Sequence, residues 1–210
     1  MWHWHSSLSG FVLAGGESRR MGQPKHLLML DGETMLERQM RLLRSVCRAV
    51  AVIGLAEFPP DPRVAVLPDA ISGRGPLGGI YTGLLHTRTE YNLFVGCDLP
   101  FLDARFLGFL ARCALDAQAD ITVPEDRQGR VEPLCAIYRR EVGAFVRASL
   151  REGANKTSGF FSRVRCRVVP WREIARAGFT PRIFDNMNTP EDWQAAVRHF
   201  SPGTSAALFP

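Results

Sequence analysis

Between Val12 and Lys25 the chain reads VLAGGESRRMGQPK, an apolar run followed at once by paired glycines and three cations. The run Gly10 to Ala14 has the composition of a buried strand. Glycine has no Cβ, so a backbone there can approach a ligand closely. Arginine offers phosphate a bidentate fork and lysine a point charge. A glycine turn leaving a strand, with Arg19, Arg20 and Lys25 inside ten residues, therefore suits a polyphosphate. Neither common phosphate motif fits. The P-loop requires Lys-Ser/Thr after its last glycine, and here Gly22 precedes Gln23-Pro24. The dinucleotide fingerprint requires G-x-G-x-x-G directly after the strand, and Gly15-Gly16-Glu17 does not supply it.

A second candidate is Phe94-Val95-Gly96-Cys97-Asp98-Leu99-Pro100, a buried strand that ends in a carboxylate. Magnesium takes hard oxygen ligands and sits on one or two carboxylates plus substrate phosphates. With a triphosphate loop on the first strand, Asp98 is the expected Mg2+ ligand. Gly73-Arg74-Gly75-Pro76-Leu77-Gly78 does spell G-x-G-x-x-G, with Asp98 twenty residues beyond. It follows the strand only after Pro68 to Ser72, so no tight strand-to-helix turn is formed, and the nicotinamide reading is rejected.

The elements that must hold these residues alternate along the chain. Strands are expected at Ala49 to Gly54, Val64 to Leu67, Asn92 to Cys97, Asp120 to Val123 and Leu134 to Tyr138. Thr34-Met-Leu-Glu37 is a capping box opening a helix with Leu36, Met40 and Leu43 at helical spacing. Further helices are expected at Pro76 to His86, Asp103 to Leu115, after Tyr138 through Leu150, and from Thr189-Pro190-Glu191-Asp192 onward, where an N-cap hydroxyl, a first-position proline and acids coincide. Such alternation predicts an α/β fold, a Rossmann-like, doubly wound, mainly parallel sheet with ligands at the carboxyl ends of its strands. The 210 residues suit a single domain over 1–200, with a nucleotide half near 8–100, an acceptor half near 101–200 and a loose tail at 201–210.

Bulk composition narrows the class. No apolar stretch nears the roughly 20 residues of a membrane span, and the N-terminus lacks a signal-peptide layout. Five cysteines without C-x-x-C spacing fit reduced thiols in the cytoplasm. His3 and His5 are too close to a frayed end to suggest a metal site. A net charge of +5 would permit nucleic-acid binding, but the cations are spread evenly without an aromatic-basic repeat. A nucleotide substrate accounts for them. Only two of the 26 basic residues are lysines, Lys25 and Lys156.

The segment Leu13 to Lys25 resembles the signature loop of nucleotidyltransferases, L-A-G-G-x-(S/A)-x-R-M-G-x-x-K. The resemblance continues in order through Asp69 with Gly75-Pro-Leu-Gly-Gly79, Cys97-Asp98-Leu-Pro100, Glu132-Pro-Leu-Cys-Ala136 and Asn186-Met-Asn-Thr-Pro190. The last of these is similar to the N-x-N-T-P-E-D/E segment of the molybdenum cofactor guanylyltransferases, and it narrows the family. That resemblance implies GMP transfer from GTP to the phosphate of molybdopterin, with pyrophosphate released. It implies catalytic roles for Arg19, Lys25 and Asp98. It implies nucleotide contacts at Leu13, Ala14, Gly15, Gly16, Lys25, Asp69, Gly78, Gly79 and Asp98, and acceptor contacts at Lys156, Asn186 and Asn188. The expected partners are GTP and molybdopterin. The expected state is a monomer, with transient contact to other molybdenum cofactor enzymes. The chain departs from the family at Pro24 and His26 beside the signature lysine, at Gly54 where asparagine is frequent, and at Asn155 or Lys156 for an acceptor-side arginine. Cytidylyl transfer to molybdopterin, sugar-phosphate nucleotidyl transfer and a non-catalytic nucleotide-binding module remain as alternatives.

Overall fold

The computed structural model describes residues 7–15, 21–55, 64–154 and 156–200. Arg19, Gly16, Asn155, His3, His5 and the tail at 201–210 lie outside them. Seven strands form one sheet: β1 (Leu8–Leu13), β4 (Ala49–Ile53), β5 (Ala65–Leu67), β6 (Tyr91–Gly96), β7 (Ile121–Pro124), β8 (Cys135–Arg139) and β9 (Cys166–Val169). Their order is β5-β4-β1-β6-β8-β7-β9. The pairs β1 with β4, β1 with β6, β4 with β5, and β7 with β9 are parallel. Strand β8 alone runs against its neighbours β6 and β7. The sheet draws strands from both halves of the chain. A two-stranded hairpin, β2 (Met29–Leu30) and β3 (Glu33–Thr34), stands apart from it.

The pleat of β1 shows why the sheet needs helices on both faces. Every residue from Leu8 to Leu13 is buried. Val12 packs on one face with Leu36, Met40 and Leu43 of α1 (Met35–Val46), Phe106 and Leu110 of α3 (Ala104–Ala117), and Ile174 of α5 (Trp171–Arg176). Phe11 and Leu13 pack on the other with Leu77 and Ile80 of α2 (Gly75–His86) and Val146 of α4 (Gly143–Arg151). A strand buried on both faces reads as a continuous apolar run, as parallel central strands do.

The capping box at Thr34 forms as its spacing predicts. Thr34 accepts from the Glu37 N–H at 3.2 Å while the Glu37 carboxylate accepts from the Thr34 N–H at 2.8 Å. At the start of α6 (Pro190–Phe200) the box uses aspartate. Thr189 accepts from the Asp192 N–H, and Asp192 accepts from the N–H groups of Asn188 and Thr189 at 2.9 Å. Three elements escape the sequence reading: the hairpin, β9 and α5. Asp31-Gly32 at positive φ turns the hairpin, and an Asp-Gly pair is a strong hairpin signal.

Glycine sets the distance between α2 and the sheet. A Cβ on Gly83 would stand 2.5 Å from the Phe94 ring, and one on Gly79 would stand 2.7 Å from Leu13 Cδ2. Phe94 is fully buried, stacked on Phe11 at 4.9 Å and edge-on to Tyr138 at 5.5 Å, so it has no room to retreat. Gly83→Ala should therefore lower stability by about 1–3 kcal/mol through overpacking, read as a lower urea midpoint at unchanged m-value. An unchanged midpoint would show that α2 shifts freely.

Candidate active site

A cleft of about 860 Å³ opens where β1, β4 and β6 end. Leu13 and Ala14, Ile53 and Gly54, and Gly96 to Asp98 contribute the strand ends, and Gly75 and Gly79 the start of α2. The strands after β1 leave it on opposite sides, β4 to one and β6 to the other. Open α/β sheets bind ligands at such a reversal.

On the β1 side two turns touch through their backbones. Gly54 lies at φ +88°, and a Cβ there would meet Gly15 Cα at 2.8 Å. A Cβ on Gly15 would in turn stand 3.3 Å from Gly54. Gly54 is thus closed to side chains by conformation as well as by space, and Gly15 is tight. The Ala14 N–H donates to the Ile53 carbonyl at 3.0 Å, and the Gly54 N–H to the Leu67 carbonyl at 3.3 Å. Asp69 sits nearby, its Oδ2 3.8 Å from the place a Gly54 Cβ would occupy. Desolvation at the cleft rim raises its carboxyl above the ordinary aspartate value.

On the β6 side, Asp98 follows the last residue of the strand by two. Its Oδ1 would lie 2.7 Å from a Cβ on Gly96, so the carboxylate in this position folds back over space that a side chain there would take. The turn beyond it is anchored by α1. Gln39 donates to the Leu99 carbonyl at 2.8 Å and Arg38 Nε to the Pro100 carbonyl at 3.0 Å. Lys25 Nζ lies 3.4 Å from Asp98 Oδ2 and donates to Asn188 Oδ1 at 2.7 Å. The Met187 N–H donates to the Asp98 carbonyl at 2.8 Å, which draws the segment before α6 onto the end of β6. Lys25, Asp98 and Asn188 come from three distant parts of the chain and meet at one point.

Of the other expected contacts, Leu13, Ala14, Gly15, Asp69 and Gly79 line the cleft. Gly78 does not. It is buried, and a Cβ there would meet Arg74 Cβ at 2.9 Å, so its small size serves the first turn of α2. Lys156 is exposed on the turn after α4 and is not part of the cleft wall. Asn186 also stands behind the wall. Its amide donates to the Phe184 carbonyl at 3.4 Å, and it lies near the Glu132 carboxylate. The sequence reading missed the glycines Gly54 and Gly96 as necessities of the site, and Glu132 as an individual residue. For Gly96 the available signal was a glycine two residues before a strand-end aspartate.

Glu132 precedes β8 and is mostly buried beside Asp98. Burial, then the Asp98 charge, push its carboxyl above the ordinary glutamate value, while the Leu134 N–H and the Asn186 amide pull the other way. A glutamate raised in the folded state is protonated in both states below its unfolded value and costs nothing there. As pH rises toward and through the folded value, ionisation inside the protein lowers stability. Glu132→Gln should therefore gain thermal stability progressively from the ordinary glutamate range upward and gain nothing in acid. A pH series of melting temperatures checks this, and a gain that is largest in acid would contradict it.

The mainly parallel sheet, the reversal at β1 and the strand-end carboxylate define a doubly wound α/β protein with its ligand cleft at the carboxyl ends of the strands. Molybdopterin-guanine dinucleotide biosynthesis protein A from Archaeoglobus fulgidus superposes with a TM-score of 0.78 at 22% identity, covering 92% of this chain and 99% of that one. The 2-C-methyl-D-erythritol 4-phosphate cytidylyltransferase of Thermus thermophilus shares the fold at TM-score 0.67 and 16% identity, over 90% and 96% of the two chains. The MobA-like NTP transferase domain matches residues 10–165. The molybdenum cofactor guanylyltransferase of Desulfosudis oleivorans is 31% identical over 94% of this chain and 98% of its own. A probable molybdenum cofactor guanylyltransferase of Pelotomaculum thermopropionicum is 34% identical over 88% and 89%. The chain belongs to the MobA-like nucleotidyltransferase family and is an enzyme.

Proposed function

We propose that this enzyme transfers GMP from GTP to the phosphate of molybdopterin, forming the guanine dinucleotide and pyrophosphate. The convergence of Lys25, Asp98 and Asn188 at the end of the β1–β6 cleft supports the chemistry, and the relatives' names support the substrates. An oxygen of the acceptor phosphate attacks the α-phosphorus in line, the bond to the β-phosphate oxygen breaks, and its electron pair leaves with pyrophosphate. Positioning and charge stabilisation dominate such transfers, so little covalent work falls to the protein.

Lys25 gives up Asp98 and Asn188 to neutralise the triphosphate and the charge that develops on the leaving group. Arg19, from the same signature loop, supplies a second cation. The Gly15 backbone faces the nucleotide, and the bare Gly15–Gly54 contact lets it lie against the main chain. Asp69 accepts from the base edge or the ribose. Guanine offers a carboxylate two adjacent donors, N1–H and the 2-amino group, where cytosine and adenine offer one amino group, which favours GTP.

The donor set also fits Mg2+. The Asp98 carboxylate and the Asn188 carboxamide oxygen are hard ligands on one cation, Lys25, and no group of three His, Cys, Asp or Glu that could hold a metal ion occurs among the described residues. That suits an ion that keeps waters and shares substrate phosphates. When bound, Mg2+ would offset negative charge on the phosphates. No helix among the described residues is long and apolar enough to cross a membrane, and the five cysteines are free thiols, which supports a cytoplasmic enzyme. We read 8–100 as the nucleotide half and 101–200 as the acceptor half of one domain.

Pyrophosphate release with Mg2+, molybdopterin and each triphosphate in turn tests the reading. GTP should be the best donor, and a preference for CTP would reassign the base. Asp98→Asn keeps size and capping ability but removes the charge. Turnover should fall at least about 100-fold with the melting temperature nearly unchanged, whereas near-normal turnover would make Asp98 structural.

Lys156 is proposed as an acceptor-side cation, reached from the turn after α4. Lys156→Ala should then raise the molybdopterin KM by about 10-fold or more and leave GTP affinity unchanged in calorimetry. No effect on either substrate would remove it from the site.

A further inference from the structure

Asp98 is carried by the turn that follows β6, and three successive carbonyls of that turn take donors from elsewhere in the chain. The Asp98 carbonyl accepts from the Met187 N–H at 2.8 Å. The Leu99 carbonyl accepts from Gln39 Nε2 at 2.8 Å, and the Pro100 carbonyl from Arg38 Nε at 3.0 Å. Within the turn the Leu102 N–H also reaches the Leu99 carbonyl, at a long 3.4 Å. Two of the three outside donors are thus neighbouring side chains of α1. Neither is part of the cleft wall. Gln39 is fully buried and Arg38 nearly so.

Burying such polar groups is unfavourable unless hydrogen bonds compensate. Gln39 meets only half of that condition, because its Oε1 finds no donor among the described residues. A methionine of similar length would fill the same space with less polar burial, but would release the Leu99 carbonyl. Arg38 is braced on two further sides. Its Nη1 donates to Glu33 of β3 at 3.2 Å, and its guanidinium lies 4.4 Å over the Phe200 ring of α6. The helix that carries both residues is fixed at its start by the Thr34–Glu37 box. A capped helix therefore directs two buried donors at the one turn that aims Asp98.

We infer that Gln39, with Arg38 beside it, is a positioning residue: by holding the Leu99 and Pro100 carbonyls it fixes the Asp98 carboxylate over Gly96 and toward Lys25, without itself touching substrate. The kinetic consequence rests on the function proposed above, in which Asp98 holds Mg2+; the structural one does not. Amide hydrogen exchange and steady-state kinetics separate the two, measured on the full chain and on Gln39→Met, Arg38→Met, Asp98→Asn and Gln39→Met combined with Asp98→Asn.

In Gln39→Met the Met187 and Leu102 amides, both bonded to carbonyls of the turn, should exchange about 10-fold faster, one hydrogen bond of the turn being lost. Exchange in β1 should not change, and the melting temperature should stay within about 4 °C. The Mg2+ concentration for half-maximal turnover should rise about 10-fold, and saturating Mg2+ should restore most of the rate. GTP without metal should bind as before in calorimetry. In the Asp98→Asn background the substitution should slow turnover no further, because it acts through the carboxylate. A residue that merely holds the fold would lower the melting temperature and leave the Mg2+ requirement alone.

Unchanged exchange at Met187 and Leu102, loss of protection spread through β1, an unchanged Mg2+ requirement, or further slowing in the Asp98→Asn background would each overturn the inference. Should Gln39→Met fail to fold, Arg38→Met releases the next carbonyl while Glu33 keeps Arg41 at 3.0 Å, and unchanged exchange in that variant would overturn the inference equally. Absence of pyrophosphate release by the natural chain, or near-normal turnover of Asp98→Asn alone, would instead overturn the proposed function, with the exchange result still deciding whether Gln39 holds the turn.

Discussion

The contact between Lys25 and Asp98 is the point on which the rest of the site turns. Its stabilising value is small. The atoms stand 3.4 Å apart in a cleft open to water, and pairs reachable by solvent contribute about 0–1 kcal/mol. Its value lies in exchange. A lysine and an aspartate that compensate each other in the free enzyme can each take a better partner when a triphosphate and a divalent cation enter together. In the function proposed above, lysine would turn to phosphate and aspartate to the cation, so neither charge would be left without a partner. Asn188, holding Lys25 at 2.7 Å, keeps the lysine at that point in the meantime. Little reorganisation then remains for the chemical step, which is the condition under which fixed charges act most strongly on a transition state.

Around that contact the fold works mainly by removing side chains. Gly15 and Gly54 bring two turns into backbone contact, Gly96 lets Asp98 fold over its own strand, and Gly79 lets α2 approach Leu13. Each glycine would cost stability in an ordinary strand or helix. The cost is offset here by the buried layers on both sides of the sheet, where β1 packs Val12 one way and Phe11 and Leu13 the other. A rigid two-faced core permits a bare, closely approached cleft at its edge.

The parts of this arrangement that were legible in the sequence are those with local signals. The capping box at Thr34, the capped helix start at Thr189, the apolar strands and the cations of the signature loop are written in consecutive residues, and strand limits differ from expectation by a residue or two. The short elements β9 and α5 carry no such local mark. Their identity depends on what they pack against, β9 on β7 and α5 on α3 and β9. The glycines were visible as phosphate-loop glycines, but a sequence does not say which of two roles a glycine serves. Gly79 faces both the cleft and Leu13, while its neighbour Gly78 serves only the helix. Lys156 carried a weak compositional argument, being one of two lysines, and composition says nothing of whether a loop folds toward the cleft or away from it.

The antiparallel strand explains why Glu132 stood in a motif of the sequence without being read as a residue at the cleft. In a parallel sheet, residues at the carboxyl ends of strands face the ligand, and the search for site residues follows that rule. Strand β8 reverses it. Running against β6, it places its own beginning beside the end of β6, where the Gly96 N–H donates to the Leu134 carbonyl at 2.8 Å. The loop before β8 therefore arrives at the cleft, and Glu132 with it. An apolar five-residue strand gives no sign of its direction, because its side-chain period is the same either way. One reversed strand thus supplies the second half of the chain with a route to the reacting centre. It brings the β7–β8 loop near the segment before α6, whose Asn188 holds the lysine of the first loop.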